Sequence, residues 1–519
     1  VRKKGPGSEG NSCIELPEKQ QWIYNVPAMK TNPWKLLEQY PRPVVQTLAA
    51  IKQARSSPCY IAGGTIRDWF MGLESKDLDI TVARDSFSWA SQFALELGGR
   101  FVPMDEEEEV ARVVWQDVCV DFASFREGAE TIEEDLCKRD FTINSMAVVF
   151  PPRIPESWDL CEVPEILDPA GGQKDIQDAI IRATSPAVFV SDPLRMLRAY
   201  RFMAKFGFRI EPFTTKQILE HAHLLYLSAE ERIASEFDAV MGVPESILAM
   251  AAMHENGVLE ELLPELYRGV GMKQPASHHL DVFDHGLAAL KHMESVQQDP
   301  GIYFPGQGDF FRNYLQGNRR RILLKWAALF HDLGKPETHE IREDRQGRIT
   351  FYNHDKEGAR IFAIIADRLK WRKKDRDFVS LFISIHMWPF HLNNARKKTG
   401  VTPKAYLRLI KTVGEEFPGL FMLAMADSLA GRGTGKPPGM EEDMAGLFRK
   451  VENVYRQTIK PALAKRLLTG HDLIKFFDLE PGPAFREIFD NLESAQVEGK
   501  VQDREQALSW VKNYLKLHK

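Results

Sequence analysis

The apolar residues of this 519-residue chain change their period once, and that change limits the fold more than any other feature. Between residues 58 and 149 short β-rich runs alternate with helical stretches. CYIAGG is followed by a helix over about 65–71, LDITVA, an amphipathic helix near 86–97, and then RFVPM, VARVVW and VCVDFA. From about Asp175 onward strand signals nearly vanish, and apolar residues recur at helical spacing to Lys519. The pattern predicts an α+β protein with a small mixed α/β head and a long helical body. At roughly 100 to 200 residues per domain, such a chain holds about three to four domains. Helices are interrupted near 269–275, 300–308 and 431–439, and the first and last of these are the candidate boundaries. The expected division is a lead-in (1–35), a head (36–170), a helical neck (171–268), a second helical domain (269–432) and a helical tail (433–519).

Composition excludes several classes. Hydrophobic residues make up 44% and charged residues 27%, which is ordinary globular usage. The net charge of −5 excludes a uniformly basic nucleic-acid coat, so a polyanionic partner must be met by local basic patches. Five scattered cysteines without a C-x-x-C pair argue against a disulfide framework and a Cys-rich zinc site, and fit a reducing, cytoplasmic compartment. No apolar run reaches the ~18 to 20 residues of a spanning helix, so no membrane partner is expected. Residues 1–21 are polar and Gly-rich, which predicts a flexible extension. Its Arg2, Lys3 and Lys4 either touch RNA or remain solvated.

In Tyr60-Ile-Ala-Gly-Gly-Thr-Ile-Arg-Asp68 an apolar strand meets two glycines and then a helix. Gly63 and Gly64 allow backbone N–H groups to approach a phosphate, and Arg67 in the first turn reaches the same anion. Gly-Gly between strand and helix also serves simply as a tight turn. Lys76-Asp-Leu-Asp-Ile80 follows, and residues two apart on a strand share a face. Asp77 and Asp79 therefore point one way, spaced to hold a pair of Mg²⁺ ions, while Leu78 and Ile80 point into the core. A third carboxylate is expected from a neighbouring strand. Alternation in VCVDFA makes Asp121 the candidate, with an edge aspartate that holds no metal as the alternative.

The ordered set GGTIRDWFMG, KDLDI, DLCKRDFTINSMA (135–147), LDPAGG (167–172), DPLRMLR (192–198) and ERIASEF (231–237) resembles class II tRNA nucleotidyltransferases, the CCA-adding enzymes and their poly(A) polymerase relatives. The resemblance implies a polymerase-β-like head, a helical neck, tRNA as partner, and ATP and CTP as substrates with Mg²⁺. It implies that Asp77 and Asp79 carry the metals and that Gly64 and Arg67 hold the triphosphate. Arg139 and Asp140, supported by Asn144, would handle ribose and phosphates. Asp192 and Arg195 would read the base edge, and Arg198 would assist at the phosphates. A helix opening at Asp192-Pro193 lines up residues 192, 195, 198 and 201 on one flank, giving an arginine stripe suited to phosphate. Asp192 is also well placed as an N-cap.

Two departures bear on the outcome. Ser191 stands where the family usually has Glu before the template Asp. The stretch after Ala123 offers only SFREGAETI before the next acidic helix, shorter than in members that complete CCA, and resembles CC-adding members. Full CCA addition, CC addition and poly(A) synthesis all remain open.

A second constellation follows. The run RILLKWAALFHDLGKP ends in His331 and Asp332, with His285 upstream and His354, His386 and Asp427 downstream. Imidazole with carboxylate suits Ni, Mn, Fe or Zn more than Mg alone. The order His285, His331 with Asp332, His354 and a distal Asp427 resembles HD-domain phosphohydrolases, implying a metal site there. The alternatives are an HD fold kept as an RNA-binding scaffold, or an HD phosphohydrolase whose head has become an RNA-binding module. Basic clusters at 319–321, 368–374 and 396–398 suit an RNA backbone or form solvated helix faces, and Trp371 either stacks on a base or is buried. The oligomeric state is not readable.

Overall fold

The computed structural model describes residues 32–517 apart from 76, 127, 159, 160 and 346, so the expected N-terminal extension with Arg2, Lys3 and Lys4 lies outside the described residues. Two compact units divide the chain between Leu262 and Leu263.

The unit before that point is built on a six-stranded sheet: β1 (Cys59–Ala62), β2 (Asp77–Val82), β3 (Arg100–Asp105), β4 (Val110–Trp115), β5 (Val118–Ser124) and β6 (Ala147–Val149), in the order β3-β4-β5-β2-β1-β6. Among the described residues of this sheet only β2 and β5 pair in parallel, because the helix Ser86–Leu97 and the β3–β4 hairpin lie between them in the chain. That helix buries Ser86, Trp89, Ala90, Phe93 and Ala94, an i, i+3, i+4, i+7, i+8 stripe, and ends at Gly98 with φ 69°. Phe93 meets Phe122 of β5 with ring centroids 5.4 Å apart. Each such buried aromatic contributes about 1.5–3 kcal/mol.

The neck is helical, with Arg195–Phe206, Glu230–Met241 and Ser246–Glu255 as its principal helices. Strand signals after residue 175 were expected to be almost absent. Four two- or three-residue strands nevertheless form: Ile180–Ile181 with Arg209–Ile210, and Glu340–Arg342 with Arg348–Thr350. Runs this short carry no readable alternation.

In the second unit the helix Phe417–Ala430 is buried on nearly every side, as its uniformly apolar sequence requires, and it packs against Val282–Gln298 and Asn318–Phe330. Gly286 permits the close approach of Val282–Gln298 to Asn318–Phe330, since a Cβ there would lie 2.9 Å from the Leu329 carbonyl oxygen. His354–Arg368 and Lys373–Ile385 complete the bundle. The glycine-rich turn after Ala430 is not a free linker. Gly433 and Gly435 donate to the carbonyls of Ser277 and Ala276 (3.0 and 2.8 Å). The last helices bury their own cluster around Leu468, Leu473, Leu492 and Val511. Thr469 and Asp472 form a capping box there, and Arg504 ion-pairs with Asp472.

Candidate functional site

Asp77 and Asp79 leave β2 on the same side, while Leu78 and Ile80 are buried beneath the sheet. Parallel pairing sets Asp79 beside Asp121 and Asp77 beside Cys119, so the three carboxylates share a face. Burial first, and the Asp121 charge second, push the Asp79 carboxyl up to about 6. Crowded oxygen donors of this kind are relieved by a hard divalent cation, so the residues fit Mg²⁺. Asp121 is not free to serve as a simple third ligand: both its oxygens accept from Arg112 (2.8 and 2.7 Å). That partner lies across the β4–β5 register, a pairing that spacing along one strand does not reveal.

The glycine turn acts differently from the expectation. Gly63, at φ 72°, donates its N–H to the Met146 carbonyl (3.0 Å), and Thr65 donates its N–H to Asp79 Oδ2 (3.0 Å). Gly63 is therefore not a phosphate donor. Its role is to lack a side chain, because a Cβ would lie 2.7 Å from Arg139 Nη1. Gly64 is somewhat less tight, with Asp79 Oδ2 3.1 Å from its Cβ position.

Arg67 and Arg139 are interior groups. Arg139 bonds Asp135 (3.0 Å) and Thr81 (2.9 Å), with its pKa lowered by burial and by Arg126. Arg67 pairs with Asp68 (2.6 Å) and lies over the rings of Phe202 and Phe206 (5.2 and 4.8 Å). It also starts a relay: Arg67 donates to Asn144 (2.5 Å), Asn144 donates to Asp140 (2.9 Å), and Asp140 meets Arg198 (2.6 Å). Burial alone would raise the Asp140 pKa, but Arg198 and the Asn144 amide hold it well below the usual carboxylate range. The relay joins the helix that follows the glycine turn to the neck helix Arg195–Phe206.

That neck helix starts at Arg195 rather than at Asp192, with Leu194 at its N-cap. Contrary to the expectation, Asp192 does not cap it but ends the short helix Val188–Ser191 and accepts the Leu194 N–H (3.2 Å) in the turn between them. Arg195 stays loosely held, 3.8 Å from Asp192. The rest of the arginine stripe has carboxylate partners, Arg198 with Asp140 and Arg201 with Glu236 (3.2 Å). Ser191 bonds only its own turn, at Val188 (3.1 Å), and Asp192 is instead steadied by Arg232 (3.1 Å). Arg232 belongs to the ERIASEF motif, so its signal was present in the sequence. Arg232→Ala is expected to leave stability within about 1 kcal/mol, since the pair is largely exposed, while raising misincorporation of the wrong nucleotide about 3- to 10-fold. Single-nucleotide extension with CTP against ATP reads this out.

The second unit gathers His285, His331, Asp332, His354 and Asp427, together with His386, which the expected ligand set omitted. Asp427 lies in the last turn of the buried central helix, where an unpaired carboxylate would be costly, and His285 Nε2 meets it at 3.0 Å. Gly334 brings the histidine–aspartate turn against the start of His354–Arg368, since a Cβ there would be 2.2 Å from the His354 carbonyl oxygen. Burial works to lower the His331 pKa, yet Asp332 and Asp427 push it up to about 10. The cluster thus attracts positive charge, and its imidazole and carboxylate donors fit a transition-metal ion. Lys335 bonds both Asp332 (2.5 Å) and Gln274 (2.6 Å).

Arg319, Arg320 and Arg321 do not form a free basic patch. Arg319 pairs with Asp375 and Arg320 with Glu416, and Arg321 donates to the Leu315 and Gln297 carbonyls. In the other two clusters, Arg368 pairs with Glu265, and Arg396 and Lys397 pair with Asp443. Trp371 packs edge-on against Trp326 and Phe362.

Comparison with known proteins agrees with this architecture. Residues 59–182 match the family model "Poly A polymerase head domain" and residues 282–400 match "HD domain". The A-adding tRNA nucleotidyltransferase of Deinococcus radiodurans is 30% identical over 460 residues, covering 88% of this chain and 95% of its own. The CC-adding tRNA nucleotidyltransferase of Thermus thermophilus is 26% identical over 455 residues, covering 86% and 92%. The fold is similar to that of a CCA-adding enzyme solved with CTP, with a TM-score of 0.61 at 20% identity over 93% of this chain and 99% of that one. The head and neck motifs, their placement around one carboxylate face and a relative aligned along nearly its whole length establish that this chain belongs to the class II tRNA nucleotidyltransferase family and carries an HD domain.

Proposed function

We propose that the protein builds the 3′ end of tRNA, adding C and A residues without a nucleic-acid template from CTP and ATP, in the cytoplasm. The observation that carries this reading is the Asp77–Asp79 pair on one strand face, joined through Thr65 and the Arg67–Asn144–Asp140–Arg198 relay to the helix bearing Arg195. In the reaction the 3′-hydroxyl oxygen of the RNA bonds to the nucleotide α-phosphorus, the α–β phosphoanhydride breaks, and pyrophosphate departs. Asp77 and Asp79 would hold Mg²⁺, which when bound would supply the positive charge that favours the ionised hydroxyl and the departing pyrophosphate. Asp192 and Arg195 offer an acceptor and donors for the base edge. Arg198 is the more exposed of the relay arginines and meets phosphate, while Arg67, Asn144 and Asp140 hold it in position, and Arg139 stays anchored on Asp135 and Thr81 beneath the glycine turn. Among the described residues no helix is long and apolar enough to cross a membrane.

A narrower reading, partial addition of CC or of A, is favoured by one feature. The short segment after β5 is tied down through Arg126, whose backbone and guanidinium both bond Asp135 (3.0 and 2.9 Å), leaving little freedom to switch base preference. Transcripts ending before C, after C and after CC, offered CTP, ATP or both, separate the readings. Full CCA from both nucleotides supports the first, a stop at CC or extension of CC-ended tRNA alone supports partial addition, and a long adenylate tract makes the enzyme a poly(A) polymerase.

The HD cluster supports a second, metal-dependent phosphohydrolase activity that trims 3′ phosphates. The double substitution His331→Ala, Asp332→Ala is expected to abolish phosphate release and to leave nucleotide incorporation within about twofold. Loss of incorporation would refute independent sites.

A further inference from the structure

The helix Met440–Val454 has two faces of different chemistry. Met444, Leu447, Phe448 and Val451 are buried on one. On the other, Gly446, Arg449, Lys450 and Asn453 recur at i, i+3, i+4 and i+7, the spacing of a single stripe, and with Arg396 and Tyr406 they line a cavity of about 580 Å³. Small-molecule sites have this size. We infer that the cavity binds a polyphosphate, either the triphosphate of a free nucleotide or pyrophosphate. It shares no residue with the aspartate face of the head or with the histidine–aspartate cluster.

The lining offers donors without acceptors. Arg449 and Lys450 are exposed and form no ion pair or hydrogen bond among the described residues. Arg396 is only half engaged. Its Nη2 donates to Asn393 Oδ1 (2.9 Å) and Asp443 Oδ1 (3.3 Å), whereas its buried Nε has no partner among the described residues and its Nη1 lies over Gly446. Asp443 does not neutralise the lining further, because its carboxylate is already divided between Arg396 and Lys397. Tyr406 is 3% exposed, and its hydroxyl makes no hydrogen bond among the described residues. Burial raises its pKa, so the hydroxyl keeps its proton and remains a donor. Buried donors without partners are costly, and a phosphate oxygen would satisfy them with charge-assisted bonds.

Gly446 points the same way. Glycine in a helix interior is destabilising, and packing does not require it here, since the nearest atom to an added Cβ is Arg396 Nη1 at 3.8 Å. What the missing methyl group does is leave open the space in front of Nη1, where an oxygen accepting from it would sit. The arrangement also separates polyphosphate from an RNA backbone. A phosphodiester carries one negative charge and a sugar on either side, so it neutralises the cations of Arg396, Arg449 and Lys450 poorly and cannot enter a concave site. A terminal phosphate has three free oxygens and can approach a residue as enclosed as Tyr406, while the neighbouring phosphates meet the cations at the rim.

The test uses full-length protein carrying Asp77→Asn and Asp79→Asn, with chelator present, so that metal-dependent binding in the head is removed. Inorganic tripolyphosphate is titrated by calorimetry. The variant Arg449→Glu, Lys450→Glu is expected to bind one equivalent fewer than its parent. Gly446→Ala, which alters no charge, is expected to weaken the same equivalent by about tenfold while its melting temperature without ligand does not fall. Equal binding by the parent and both variants overturns the site, as does no binding by the parent. ATP, CTP, pyrophosphate and a tRNA transcript are then offered as competitors. Displacement by the nucleotides identifies a triphosphate site and displacement by pyrophosphate alone a pyrophosphate site, and either supports the proposal. Displacement by tRNA alone overturns it and makes the cavity a contact for the RNA backbone.

Discussion

Asp79→Asn is expected to lower nucleotide incorporation by about 1000-fold or more, the loss of several kcal/mol of charge stabilisation at the reacting phosphate. The substitution keeps the shape of the side chain and an oxygen able to accept the Thr65 N–H, so the fold and its melting temperature should hardly change. Asp77→Asn, on the exposed end of the same face, should cost as much. Single-turnover extension of a tRNA transcript with saturating nucleotide measures both, and near-normal turnover in either variant would displace the metal pair from this strand. The same carboxyl sets a pH dependence. Burial and Asp121 raise Asp79 to about 6 in the metal-free protein, so the carboxyl is protonated below that value and ionised above it. Protons and Mn²⁺ compete, and head affinity for the ion should fall about tenfold per pH unit below 6 and level off above it. Calorimetric titration of a His285→Ala, His331→Ala, His354→Ala protein isolates the head.

Gly334→Ala should be the most damaging single methyl group in the second unit. The added Cβ would lie 2.2 Å from the His354 carbonyl oxygen and 2.4 Å from the Gly358 nitrogen, both backbone atoms that move only if the helix moves. A cost of about 3 kcal/mol or more follows, with a fall in melting temperature of about 6–12 °C for a unit of this size. Gly446→Ala is the matched control. It sits inside the helix Met440–Val454, where the nearest atom to its Cβ is 3.8 Å away on the Arg396 side chain, an ordinary van der Waals distance, and it should gain up to about 1 kcal/mol. Differential scanning calorimetry should show the two substitutions with opposite signs.

Local patterns were the legible part of this chain. The stripe in Ser86–Leu97 and the alternation in β2 and β5 are properties of neighbours in sequence, so periodicity finds the elements and the faces of Asp77, Asp79 and Asp121. The motif order likewise brought the histidines and aspartates of the second unit into view. What sequence could not give was who partners whom. Arg112 meets Asp121 through strand register, Arg320 meets Glu416 from 96 residues away, and Arg319 meets Asp375 from 56. Three arginines in a row therefore looked like a free basic patch, and each is instead engaged by a protein partner. His386 was hidden for a related reason. It lies at the end of an apolar helical run, where a packing histidine is the ordinary expectation, and only the fold turns its Nε2 toward His354.

The hydrogen bonds from Gly433 and Gly435 to Ser277 and Ala276 act as a clasp that closes the histidine–aspartate bundle into a ring. The clasped segment runs directly into His278, whose ring stands edge-on to His285 at 4.6 Å. A fragment ending at residue 430 would keep every proposed ligand and still lose the donors that fix the wall behind one of them. Any minimal metal-binding fragment made from this chain should therefore be cut beyond Gly439, at the far side of the clasp, and not where the glycines first interrupt the helices.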